Sequence, residues 1–112
     1  MMREVMSSES VGAGANYTSI PTILRDGMNV HCLEYQISGD GTVAITPQLA
    51  ISGSAWISAG KCAKGLVKTS GPGADGKGFI DLILRPAEMI RFYVEETGSS
   101  DSAVVSLFFV QK

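Results

Sequence analysis

Alternation of apolar and polar residues dominates the last third of this 112-residue chain. It is clearest in residues 79–84 and 90–95, where an apolar side chain recurs at every second position. Side chains two apart on a strand share a face, so each of these runs can bury one side against a core. Residues 103–111 are apolar on both faces for most of their length, which predicts a central strand.

Further strand-like runs occur at residues 17–24, 29–38, 42–46, 48–52, 55–58 and 66–69. Pro47 is expected to interrupt the ladder between two of them, because proline has no N–H to donate. Turn residues separate the runs roughly every 8–12 positions, and no amphipathic helix of comparable clarity is present. The pattern predicts an all-β domain, a jelly-roll-like β-sandwich of about eight mostly antiparallel strands.

The first 16 residues differ from the rest of the chain. They are rich in Ser, Gly and Ala with scattered Met, and they show no sustained periodicity. This composition predicts a flexible N-terminal arm over residues 1–16 that orders only against a partner. Residues 17–112 then form the β-sandwich, and the length of the chain fits a single domain.

Composition and charge narrow the class of partner. The net charge is −2, so no nucleic-acid binding is expected. No signal peptide or membrane-length apolar run is visible, so we expect synthesis in a cytoplasm and no membrane contact. There is no acidic residue between Asp40 and Asp75, a span that contains Lys61, Lys64 and Lys68. A solvated basic loop is the favoured interpretation, and docking on an acidic protein surface is the alternative.

Candidate reaction chemistry is sparse. The spacing from Gly71 to Lys77 fits a phosphate-binding loop, but Gly78 stands where such a loop needs Ser or Thr, and a strand rather than a helix follows. A plain hairpin loop is therefore predicted there. His31, the single histidine, is expected to pack within its strand, because a metal site needs several more ligands. No acid–base pair or nucleophile stands out, so we expect no catalysis, no cofactor and no metal.

Two cysteines and one tryptophan have several possible roles. Cys32 lies within a predicted strand and is expected to be a buried thiol, whereas Cys62 lies among lysines, where a thiolate would be favoured. A structural or inert role is preferred over redox chemistry. The sequence leaves open whether the two are paired. Trp56 is predicted to pack in the core, and the alternative is that it joins tyrosines in a sugar-stacking platform.

Residues 41–111 resemble small virion proteins of tailed bacteriophages. They consist of the run GTVAITPQLAISGSAWIS, a Gly-rich loop and the run LRPAEMIRFYVEETGSSDSAVVSLFFVQ. Capsid decoration proteins, also called cement or staple proteins, carry a strand, a Trp-containing turn, a strand leading from a proline to an arginine, and a terminal β-run in this order. The chain is similar to them, with Pro86 and Arg91 at the proline and arginine positions. The resemblance implies a jelly-roll fold, a dimer or trimer on the capsid exterior of the virion, and no enzymatic activity.

The resemblance also implies a partner, the major capsid protein, whose neighbouring subunits the chain would staple after synthesis in the host cytoplasm. We expect the N-terminal arm and the basic span to make the contact. The candidate contact residues are Met2, Arg3, Val5, Met6, Lys61, Lys64 and Lys68. The alternative function is that of a carbohydrate-binding β-sandwich module in a phage tail or adhesion apparatus, since the same fold serves both.

Overall fold

The computed structural model describes residues 1–52 and 55–112, and no helix occurs in this part of the chain. Ten strands are present within it: β1 (Met2–Val11), β2 (Asn16–Thr18), β3 (Thr22–Ile23), β4 (His31–Gly39), β5 (Val43–Ala50), β6 (Ile57–Ser58), β7 (Ala63–Leu66), β8 (Lys77–Leu82), β9 (Met89–Glu96) and β10 (Ala103–Gln111). All their pairings are antiparallel.

The strand pairs are nested within one another. β1 pairs with β10, β2 and β3 pair with β9, β4 pairs with β8, and β5 pairs with β6 and β7. The chain thus folds as one long antiparallel hairpin, wound so that β10 also lies beside β4 and β9 beside β5. One sheet has the order β1-β10-β4-β8 and the other β2-β9-β5-β6. This jelly-roll-like β-sandwich confirms the predicted fold class.

The core lies between the two sheets and is filled by alternate residues of the central strands. Five residues of β10 are at most 1% exposed: Ala103, Val105, Leu107, Phe109 and Gln111. The ring of Phe109 packs against Phe92 of β9, with centroids 5.7 Å apart, and this contact joins the sheets. The predicted alternation and the central position of β10 are therefore confirmed.

Pro47 does not interrupt its strand, which corrects the sequence prediction. β5 runs unbroken through Pro47, which lies opposite Phe92 of β9. The Pro47 carbonyl accepts a hydrogen bond from the Ala59 N–H at 2.9 Å, just beyond the end of β6. Because the backbone groups of one residue in an antiparallel strand point to the same side, the missing N–H falls on the side of this short strand. The ladder with β9 is left intact.

The predicted N-terminal arm is wrong for most of its length, because Met2–Val11 form β1 and pair with β10. Val5, Met6 and Val11 are buried in the core. The register shifts twice along this pair, and Ser8 has a φ of 45°. Bulges of this kind add unpaired residues, so the adjacent side chains of Val5 and Met6 both face inward. Because of these bulges, the residues of β1 do not alternate strictly between apolar and polar, so the sequence pattern did not predict this strand.

The Gly-rich segment after β7 is not a hairpin loop, which corrects a second prediction. It leads from β7 in one sheet to β8 in the other. Its backbone is closed on itself: the Gly76 N–H donates to the Ser70 carbonyl at 2.8 Å, and the Ala74 N–H donates to the Gly71 carbonyl at 3.1 Å. These N–H groups are therefore not free to cradle a phosphate.

The carboxylate of Glu96 ties three loops to one end of the sandwich. Glu96 continues the inward-facing series of β9 and is only 3% exposed. Its oxygens accept backbone hydrogen bonds from Gly14 and Ser99 at 2.9 and 2.7 Å, and from Thr42 and Gly98 at 2.8 Å each. These bonds, led by those from Gly14 and Thr42, lower the pKa of Glu96 from 4.5 to about 2.

The side chain of Gln111 has the corresponding role at the opposite end. It continues the inward-facing series of β10 and is fully buried. Its Oε1 accepts a hydrogen bond from the Arg25 N–H, and its Nε2 donates to the Ile23 carbonyl, both at 3.0 Å. The segment that connects β3 to β4 is thereby held on the core.

Acidification is expected to destabilise the fold through Glu96. A pKa that is lower in the folded than in the unfolded chain means that the unfolded chain binds more protons between about pH 4.5 and pH 2. The stabilisation from Glu96 is therefore complete above about pH 4.5 and is lost as the pH falls through this range. Urea unfolding of wild type and Glu96→Gln at several pH values measures the effect.

The Glu96→Gln variant is expected to have a lower urea midpoint than wild type at pH 7 and a gap that narrows towards pH 2. An amide keeps the shape of the side chain but turns an NH₂ group towards backbone donors. Glu95→Gln is the matched control, because the Glu95 carboxylate contacts Lys61 rather than these loops. Equal midpoints for wild type and Glu96→Gln at pH 7 would contradict the role of this carboxylate.

Truncating a buried residue of β1 is expected to destabilise the domain. Met6→Ala should cost about 2–5 kcal/mol, the range for emptying a core methionine site. Met2→Ala, at a side chain 61% exposed on the same strand, is the control and should change stability by less than about 0.5 kcal/mol. Chemical denaturation measures the stability of both variants. Equally small losses of stability would contradict the structural role of β1.

Candidate interaction surface

The four N-terminal contact candidates separate into two pairs. Met2 and Arg3 are exposed, whereas Val5 and Met6 are 4% and 3% exposed and belong to the core. A side chain buried within its own domain cannot reach a partner in the folded state. Met2 and Arg3 therefore remain candidates, and Val5 and Met6 are structural residues of the sandwich.

The three candidate lysines do not form a patch of unpaired positive charge. Lys68 forms an ion pair with Asp40 at 2.6 Å, and Lys61 lies 3.5 Å from Glu95. The Asp40 carboxylate raises the pKa of Lys68, and Lys68 in turn lowers the pKa of Asp40. Lys64 is exposed and forms no ion pair with any described residue. The acidic partners come from distant parts of the chain, so sequence spacing alone could not reveal them.

Both thiols are free; Cys32 lies in β4 of one sheet, and Cys62 directly precedes β7 of the other. Cys32 is on β4, where burial raises its pKa. Cys62 packs against the core, and its Sγ lies 3.5 Å from the Ile45 carbonyl oxygen. Burial raises the pKa of Cys62 to about 11, so this thiol stays protonated. The lysines near Cys62 in sequence therefore do not make it a thiolate, and the favoured structural or inert role fits this buried thiol.

Trp56 lies at the surface rather than in the core. Its ring is partly exposed, and the guanidinium carbon of Arg91 lies 4.3 Å from the ring centroid. Arg91 is fixed in turn by Gln48, whose Oε1 accepts a hydrogen bond from Nε at 2.7 Å. This cation–π contact orients the indole and covers one of its faces.

Most of the exposed large apolar side chains lie at the end of the sandwich opposite Glu96. We call it the apolar end and define it as residues 1–3, 23–31, 50–52, 55–57, 82–89 and 111–112. It contains seven of the ten large apolar side chains that the described chain exposes: Met1, Met2, Ile23, Val30, Ile51, Ile57 and Ile83. Clustering of exposed large apolar side chains at one end of a domain is typical of an interaction site.

Four shallow cavities cross the apolar end and share lining residues. The first, about 510 Å³, is lined by Met2 and Ile23, and the last, about 460 Å³, is lined by Ile57 and Ile83. Two cavities of about 600 and 300 Å³ lie between them. Arg25 lines the first three cavities of this series. The surface is thus a continuous groove rather than a closed pocket.

The described residues contain neither a group of side chains suited to a metal ion nor a helix suited to a membrane. Among them, no three His, Cys, Asp or Glu side chains are grouped so that they could hold a metal ion. Within the same residues, no helix is long and apolar enough to cross a membrane.

No protein-family model matches the chain, and no curated protein matches it. Among solved structures, the VP2 subviral particle of infectious bursal disease virus is similar, with a TM-score of 0.59 and 13% identity over 97% of this chain. The chain spans only 31% of the length of VP2. PliG of Aeromonas hydrophila, a periplasmic inhibitor of g-type lysozyme, has a TM-score of 0.53 and 12% identity, covering 100% of this chain and 85% of PliG.

The carbohydrate-binding module CBM36 is less similar, with a TM-score of 0.49 and 11% identity. At identities this low, the likeness to VP2 and PliG shows the fold alone. The chain therefore shares its jelly-roll-like fold with these two proteins.

Proposed function

We propose that this chain is a structural virion protein that binds the outer surface of a tailed-bacteriophage capsid and staples neighbouring major capsid subunits, without catalysing a reaction. The observation that carries the proposal is the apolar end, where seven large apolar side chains are exposed and six of them line one continuous groove. Exposed apolar surface is stabilised when a second protein covers it, so this end fits a role in assembly.

The architecture supports a contact role in two further ways. Tight antiparallel pairing gives a preformed surface, which lowers the ordering cost of association. A stable contact buries about 1,200–2,000 Å² in total, and the apolar end together with an adjoining sheet edge offers the kind of surface that this requires. The fold by itself does not decide the matter, because VP2 and PliG share it.

Self-association belongs to the proposal. We propose that the chain is a dimer or trimer on the shell, since most oligomers formed by a single kind of chain are closed and symmetric. Sedimentation analysis of the purified chain measures this state, and a strictly monomeric chain at capsid-like local concentrations would remove this part of the proposal.

The proposed function predicts that the chain co-purifies with assembled shells in a fixed stoichiometric ratio and lies on their exterior. Quantitative mass spectrometry of density-purified virions from the source phage measures the ratio. Brief protease treatment of intact virions, with the major capsid protein as the protected control, measures the location. Absence of the chain from purified virions, or its full protection inside them, would contradict the proposal.

The carbohydrate-binding alternative depends on Trp56. Arg91 already covers one face of the indole, so a sugar would have to stack on the other face or displace the guanidinium. We therefore expect no saturable change in Trp56 fluorescence during titration with oligosaccharides. A saturable fluorescence response that Arg91→Ala enhances, with calorimetric binding that Trp56→Ala abolishes, would favour the alternative over the capsid role.

A further inference from the structure

We infer that the apolar end is the docking surface of this chain and that it takes an acidic, partly apolar surface of a different protein. The inference rests on the proposed function where it assigns that surface to the capsid, and it adds both the contact residues and the chemistry of the partner. Three independent features of the described residues carry it: the groove, the distribution of charge, and the anchoring of one arginine.

The groove shows which groups a partner would meet. It runs from Met2 and Ile23 to Ile57 and Ile83, and Arg85 lines two of its cavities near the second pair. Apolar side chains thus form both ends of the groove, and exposed guanidinium groups lie along it. Arg and Met are enriched in protein–protein interfaces, whereas Lys is depleted. All four arginines of the chain lie in or next to this end, and four of the five lysines lie outside it.

Charge identifies the partner as acidic. The apolar end contains the cations Arg3, Arg25, Arg85 and Lys112 and the anions Asp26 and Glu88, which gives its side chains a charge of +2. The whole chain has a formal charge of −2, so the remainder has −4. Arg3, Arg25 and Arg85 form no ion pair with any described residue. An acidic surface is therefore attracted by this end and repelled by the rest of the molecule, which orients the approach.

The same charge argues against a second copy of this chain as the occupant. A two-fold contact places the same patch of both copies face to face. Two apolar ends, each with a charge of +2, would then repel one another. A partner with carboxylates around apolar side chains avoids this repulsion and fills the groove.

The backbone of Arg25 is fixed in a position where its side chain can contact a partner. Its backbone N–H is anchored by the buried Gln111 side chain at 3.0 Å, while its own side chain is exposed and lines three of the cavities. A cation on a fixed backbone loses less conformational freedom on binding than one on a mobile loop. The anchored loop therefore favours specific docking at this place.

Matched glutamate variants test the docking surface with shells of the source phage. Ile57→Glu and Ile83→Glu add a negative charge to exposed positions of the groove and should weaken shell binding at least about tenfold. Phe79→Glu is the control, because Phe79 is as exposed as Ile57, at 70%, but lies on the outer face of a sheet. Arg85→Glu should also weaken binding, whereas Lys64→Glu should change it by less than about twofold.

Thermal melting close to that of wild type verifies that each exposed variant is folded. If wild type binds shells and Ile57→Glu and Ile83→Glu bind equally well, the inference fails and the proposed function stands. If wild type does not bind shells, the proposed function fails, and the next experiment tests the docking chemistry without a shell.

A synthetic peptide of alternating Glu and Leu provides that shell-free probe, with a peptide of alternating Lys and Leu as its control. Fluorescence anisotropy should show saturable binding of the Glu peptide that Ile83→Glu and Arg85→Glu abolish and Phe79→Glu preserves. No binding of the Glu peptide, or equal binding of the Lys peptide, overturns the inference. Sedimentation of wild type and Ile83→Glu should give the same mass, and dissociation of an oligomer by Ile83→Glu would instead assign this end to a contact between copies.

Discussion

The rest of the structure depends on the packing of β9 against β10 across the two sheets. These strands are central in their respective sheets, and each presents every second side chain to the core. Phe92 and Phe109 meet at the centre of this contact. Because the side-chain period of a strand is two, a slip of one residue would exchange the buried and outer faces of the whole strand. Correct register is therefore a condition for both sheets at once.

Two buried polar side chains fix that register at opposite ends of the sandwich. Glu96 ends the inward series of β9, and Gln111 ends that of β10. Glu96 accepts hydrogen bonds from loop N–H groups, whereas Gln111 accepts one from the Arg25 N–H and donates one to the Ile23 carbonyl at the end of β3. A shifted strand would leave an ionised carboxylate or a primary amide buried without partners, which costs far more than a displaced apolar group. Polar residues thus specify the register that the apolar residues stabilise.

The sequence predicts those features that depend on local alternation and fails where distant residues meet. The strand at 103–111 was found because its pattern is regular, whereas β1 was missed because its bulges place Val5 and Met6 on the same side. Glu96 was also missed, although the alternation of β9 extends to it, since only the fold brings three loops to its carboxylate. The pairing of Lys68 with Asp40 and the groove at the apolar end likewise arise from contacts between distant segments.

The nested hairpin gives the two ends of the sandwich opposite properties. At one end, the loops donate their N–H groups to the buried Glu96 carboxylate, and none of the seven exposed apolar side chains of the apolar end lies there. At the other end, Gln111 holds the loop backbone from within, and side chains such as Ile83 and Arg85 face water. A partner can cover this end without breaking any of those bonds. A partner there would gain from covering apolar surface without the loss of intramolecular hydrogen bonds, which supports the apolar end as the docking surface that we infer.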